Sequence, residues 1–152
     1  MAIEIVLGIW GLCILLWFSY ADIKHKNKLD TDTMWCCGIV ALIIGFMAKI
    51  GWVFLLLAGL SYGLGFILHR IKAFGGADVV LLTCLMPCIG ATSFANGIVK
   101  WLAFWLILLE IGLSYALIFK FCGNRRIKNI PFVPAILIGF ILYWVMVLRS
   151  GF

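Results

Sequence analysis

Charge is scarce in this sequence. Only 12% of its 152 residues are charged, six of those are acids, and 66% are hydrophobic. That balance excludes a soluble globular domain of this length, for which about 45–50% apolar residues is usual. Even a well-packed core leaves much apolar surface outside. The mean hydropathy of +1.20 points the same way. Low-complexity linkers and any long polar block are also missing, so residues 1–152 read as a single domain. No basic cluster precedes the first apolar run, and the run therefore does not read as a cleavable signal peptide. The six cysteines, Cys13, Cys36, Cys37, Cys84, Cys88 and Cys122, include no CxxC pair. His25 and His69 keep no metal-ligand spacing to them, and Cys84 with Cys88, four apart, lacks the further ligands a metal needs. No metal and no cofactor is expected, and the cysteines read as small packing residues inside helices.

What is present is a series of apolar runs. They cover residues 3–21, 34–48, 52–68, 78–95, 101–119 and 132–148, each 15 to 19 residues long. A membrane-spanning helix needs about 20 residues, with a lower limit near 17, so the ends must borrow their flanks. The fold class expected is all-α: a polytopic bundle of six transmembrane helices in the lipid bilayer. In such a chain the net charge of +6 concerns membrane orientation rather than nucleic acid. With six spans the loops alternate sides. Lys24, Lys26, Lys28, Arg70, Lys72, Lys120, Arg125, Arg126 and Lys128 fall on one side, against Lys49, Lys100 and Arg149 on the other. Nine against three makes the first side cytoplasmic and puts both termini outside.

The acids then fall into place. Asp22 closes the first span where the chain reaches the cytoplasmic face, and Asp78 opens the fourth where it re-enters. Both are thus expected at one face and at similar depth, 56 positions apart in sequence. An ionisable residue at the hydrocarbon edge is costly and marks a candidate site. Asp78 follows Gly75-Gly76-Ala77. Glycine permits unusual dihedrals and close backbone approach, which suits a loop against which an extended peptide lies. Two close carboxylates cannot both ionise cheaply and share one proton. Such a pair can activate a water with one member and protonate a leaving group with the other. Asp78 can equally be read as a helix cap, and Asp22 as an interfacial acid beside Lys24 and Lys26.

Three stretches make the chain resemble the prepilin peptidases, membrane aspartyl proteases marked by a GxGD-like motif. They are Asp22-Ile23-Lys24 with Leu29-Asp30 and Trp35, then Gly75-Gly76-Ala77-Asp78, then Ile130-Pro131-Phe132-Val133-Pro134. The second is similar to the GGAD form of archaeal members. Ala77 departs from the second glycine of GxGD, and no proline stands near Leu29. The cytoplasmic insertion with paired CxxC motifs, which accompanies methyl transfer in long bacterial members, is absent. The resemblance covers nearly the whole chain. It implies an aspartic endopeptidase of the short form, with Asp22 and Asp78 catalytic. It also implies that pilin-like precursors, including archaellins and adhesion pilins, lose their short basic leaders at the cytoplasmic face of the cell membrane.

The remaining features are read beside this. Asp30 and Asp32 could attract a basic leader by charge complementarity or simply balance the lysines of their loop, and Asp32-Thr33 could cap the second helix. Gly59, Gly63 and Gly65 allow close helix packing. Pro87 should kink the fourth span. Trp35, Trp52, Trp101 and Trp144 read as interface anchors. Glu110, in mid-span, should face the bundle interior and find Ser114 or a tyrosine. A different reading makes the chain a small proton-coupled transporter or channel with Asp22, Asp78 and Glu110 as a relay. A third makes it a non-catalytic subunit of a membrane assembly.

Overall fold

The computed structural model describes residues 2–25, 30–47, 51–70, 75–122 and 132–150. These form six α-helices: α1 Ala2–His25, α2 Thr31–Met47, α3 Gly51–Arg70, α4 Gly76–Cys84, α5 Phe94–Cys122 and α6 Val133–Ser150. The protein is all-helical over these residues. Helices α1, α3 and α5 are long and apolar enough to cross a membrane, while α2 and α6 are apolar but shorter. Large exposed apolar side chains such as Trp17, Leu106, Leu113 and Leu148 coat the outside, as expected where lipid replaces water. Lys26, Lys28, Lys49, Lys72, Arg125, Arg126, Lys128, Leu29, Ile130 and Pro131, which the sequence reading used, lie outside the described residues, as do the side chains of His25, Lys120 and Cys122.

The fourth apolar run departs most from expectation. It is not one kinked helix over 78–95. Helix α4 stops at Cys84, a 3-10 turn runs over Met86–Ile89, and α5 starts at Phe94. At about 1.5 Å per residue, α4 is only about 13 Å long. Pro87 is the cause: its ring clashes with the carbonyl four residues back and it has no N–H to give. The chain tightens there, with Cys88 N–H bonded to Leu85 O at 2.8 Å. Gly90 then adopts φ 72°, ψ 41°, the left-handed stop that glycine takes without a Cβ penalty. Ser93 opens α5 by accepting the Asn96 N–H at 3.3 Å, and the Asn96 side chain accepts the Thr92 N–H at 3.2 Å.

This broken segment is the centre of the molecule, since every residue from 81 to 91 is buried. Backbone freed at such depth must find partners inside the protein. The Tyr143 hydroxyl donates to Ile89 O at 2.6 Å, and Lys100 Nζ donates to Gly90 O at 2.7 Å. Lys100 is itself only 3% exposed and lies 3.7 Å from Glu4. The surrounding helices come close because they present glycine. A Cβ on Gly38 of α2 would stand 2.7 Å from Cys84 Sγ, one on Gly11 of α1 2.8 Å from Cys88 Cβ, and one on Gly65 of α3 2.9 Å from Val79 Cγ1. Gly65 thus packs as expected, whereas Gly59 and Gly63 face open space. Ser61 ties α3 to α5 and the 3-10 turn, donating to Met86 Sδ at 2.8 Å and accepting the Trp101 and Trp105 indole N–H groups at 2.7 and 3.2 Å.

Two of the expected interface anchors are partly buried against the core. Trp101 bonds to Ser61, and Trp144 lies over Gly8 and Gly90; Trp35 and Trp52 are exposed. The cysteines divide as well: Cys84 and Cys88 are buried packing residues, but Cys13 and Cys36 are exposed. Helix α6 packs between α1 and α5, and α4 between α2 and α3. The bundle consequently has a Glu4–Lys100–Gly90 end and, one α1 length away, an Asp22 end.

Candidate functional site: two carboxylates at two helix starts

Asp22 sits in the last turn of α1, a poor place for an anion because the carbonyl end of a helix is negative. It is nevertheless 3% exposed. The bundle supplies what its own helix does not. Val133, the first residue of α6, donates its backbone N–H to Asp22 Oδ2 at 3.3 Å. The carboxylate thus meets the positive end of a helix 111 residues away in sequence. Lys24 does not accompany it, since its Nζ lies over the Tyr20 ring, 5.3 Å from the centroid.

Asp78 is the third residue of α4 and half-buried. Its Oδ2 accepts the Gly75 N–H at 3.0 Å, the carboxylate half of a capping box. It is therefore not the N-cap itself; Gly75 is. Asp78 also lies within electrostatic reach of Asp22. Two helix starts, α4 and α6, each put a backbone donor and a positive dipole end on one of two neighbouring carboxylates.

The motif loop works differently from the sequence expectation. Gly75 has φ −71° and ψ 157°, extended backbone open to any residue, so conformational freedom is not its role. What it supplies is room: a Cβ there would stand 2.9 Å from Asp78 Oδ2. A Cβ on Gly76 would meet only His69 Cε1, at 3.9 Å. Ala77 is already helical, where alanine is favoured over glycine. Gly75→Ala should therefore leave the thermal unfolding midpoint within a degree or two of wild type while displacing the Asp78 carboxylate. Any activity that needs Asp78 should fall about tenfold or more, since small misplacements at a reacting group are expensive. Gly76→Ala should leave stability unchanged.

Asp30, exposed, is the N-cap of α2. Its carboxylate accepts the Asp32 N–H at 3.1 Å and the Thr33 hydroxyl. These bonds, the Thr33 one foremost, hold its carboxyl below the usual carboxylate range. The cap is thus Asp30 rather than Asp32-Thr33. Asp32 stands exposed in the first turn. Glu110 corrects a firmer expectation: it does not face the interior. Phe104, Trp105, Leu108 and Gly112 form the buried face of α5, and Glu110 and Ser114 lie on the exposed one. A proton relay through Glu110 would have to leave the bundle. Val133, marked in the sequence only as part of the 130–134 stretch, takes part through its backbone N–H and carries no side-chain signal.

Compared with protein-family models, curated proteins and solved structures, this chain matches none.

Proposed function

We propose that this protein is a membrane-embedded aspartic endopeptidase of the short prepilin-peptidase type. In this reading the fourth crossing is the broken α4 segment, both termini are outside, and the Asp22 end of the bundle faces the cytoplasm. The substrates are type IV pilin-like precursors, among them archaellins and adhesion pilins, whose short basic leaders arrive at that face. One observation carries the reading: two acids far apart in sequence, Asp22 and Asp78, lie within electrostatic reach of each other, and each accepts a backbone N–H at the start of a helix.

The chemistry follows from that pairing. One carboxylate takes a proton from water as it attacks the scissile carbonyl, and the other gives its proton to the leaving amine. The two then exchange roles, so no metal or cofactor is required by this route. Helix α4 hangs on the glycine approach and is short, so a substrate segment could lie along the Gly75–Gly76 backbone, which is exposed. Asp32, exposed in the first turn of α2, a helix that packs against α4, is the acid assigned to attract the basic leader. Asp30, engaged in its cap, is the weaker candidate.

The test is co-expression with a tagged precursor, reading loss of the leader by gel shift. Cleavage by the wild type and none by Asp22→Asn or Asp78→Asn is expected. Retained cleavage in either variant sinks the assignment. Ion or solute flux in liposomes without proteolysis would instead favour the transporter reading.

A further inference from the structure

Glu110 is an acid exposed on a long apolar helix, far from either end. It stands 16 residues after Phe94 and 12 before Cys122, the two ends of α5. At about 1.5 Å per residue those are distances of about 24 and 18 Å. Glutamate lacks the long stem with which lysine and arginine reach the membrane surface. Among the described residues Glu110 has no hydrogen bond or ion pair. A carboxyl left against lipid is costly, and such groups normally face protein or water. The helix that carries it has surface to spare. It packs on α6, α3 and the 3-10 turn, and 22% of its apolar stretch is buried, against 28% for α3 and 39% for α1. Away from the bundle it shows Val99, Leu102, Leu106, Glu110, Leu113 and Leu117, all exposed. Their spacings are three, four, four, three and four, a seam along which a second helix can pack lengthwise. Glu110 is the single polar member of that seam.

We propose that two copies of this chain pair side by side in the membrane through this face, α5 on α5, with Glu110 at the two-fold axis. The pairing needs the membrane of the preceding reading and none of its chemistry. The apolar seam residues do not choose a partner, because lipid tails are as apolar as leucine. Glu110 does. Copies inserted in the same sense are related by an axis along the membrane normal, and in such an isologous contact a residue on the axis meets its own counterpart. A second copy therefore brings a carboxyl to the depth of Glu110 without further adjustment. Carboxyls are self-complementary: a protonated one donates its O–H and accepts on its other oxygen, and a facing pair can share one proton. A helix of unrelated sequence would need a polar group at that one depth and on the facing side. A lone polar residue in an apolar seam also fixes register, as it does in coiled coils.

The test uses the full chain, labelled at its N-terminus with a donor or an acceptor fluorophore and reconstituted together in phosphatidylcholine liposomes. Energy transfer should fall on dilution with lipid as it does for a dimer. Hydrogen bonds between membrane helices correspond to about threefold to 20-fold in association, and Glu110→Leu should weaken pairing by about that factor. Leu113→Trp, which keeps the carboxyl and spoils the seam, should weaken it as well. Both positions face outward, so both variants should keep the wild-type unfolding midpoint. Ile9→Trp, on the exposed side of α1, should pair as the wild type does. No transfer at any protein-to-lipid ratio overturns the proposal, as does transfer that Glu110→Leu leaves unchanged. Loss of pairing with a lowered unfolding midpoint in both α5 variants overturns it too, since the face would then belong to the bundle. In native membranes a photo-crosslinking residue in place of Leu106 should yield an adduct of two copies. An adduct with a different protein alone would give the face another occupant and sink the pairing.

Discussion

Asp22→Asn should abolish cleavage and leave the bundle standing. General acid–base catalysis by one positioned group supplies about 10²–10⁴-fold, and removing the carboxylate removes at least that. In the proposed mechanism the paired acids act as a unit, so the double variant Asp22→Asn/Asp78→Asn should be no slower than the worse single variant. Stability should behave differently. An asparagine carbonyl oxygen can accept the same Val133 N–H that Asp22 Oδ2 accepts at 3.3 Å. The substitution also removes an acid that is 3% exposed at the unfavourable end of its helix, and a buried carboxylate carries a desolvation cost that an amide does not. Thermal unfolding in detergent should therefore show a midpoint equal to wild type or higher. A lowered midpoint would mean that Asp22 is needed as a structural link between α1 and α6, and its loss of activity would then say little about chemistry.

Lys100→Met should give the opposite pattern. Lys100 Nζ holds the Gly90 carbonyl at 2.7 Å and faces Glu4 at 3.7 Å. Methionine fills similar volume but offers no donor. The Gly90 carbonyl, at the left-handed stop of the broken segment, loses a partner in a place water does not readily reach, and Glu4 loses the ammonium 3.7 Å away. An orphaned buried acceptor costs about 1–3 kcal/mol, and breaking a buried ion pair about 3–5. Glu4 is partly exposed, so a combined loss of about 3 kcal/mol is expected. It would be read as a lower unfolding midpoint and faster proteolysis. The acids are at the far end of α1, and cleavage at low temperature should survive. Unchanged stability would show that Tyr143 and its bond to Ile89 O at 2.6 Å suffice to hold the turn.

The corrections share a physical origin. Hydropathy registers how apolar a run is, and residues 78–95 are apolar throughout whether they form one helix or a short helix, a 3-10 turn and a new helix start. Pro87 is a visible breaker, but its consequence depends on Tyr143 and Lys100 being present to donate to the freed carbonyls. Glu110 is expected inside because lipid disfavours a carboxylate. The packing of α5 instead follows Trp105, Leu108 and Gly112, and Glu110 points away from that face. For Gly75 the residue was legible and the reason was not. Its backbone is ordinary, and its value is the space it leaves for Asp78 Oδ2.

Legible in the residues alone are a helical, apolar chain, the bounds of α2, α3 and α6 to within three residues, and Asp22 and Asp78 as candidate acids. Composition and residue spacing are local quantities, and these properties follow from them. Tertiary structure alone decided that the fourth run is broken, that α4 lies at the centre, and that Asp22 receives the start of α6 while Asp78 receives the Gly75 N–H. Those outcomes depend on which helices approach one another. That depends in turn on glycines and buried donors placed on different helices, whose fit exists only once the bundle has closed.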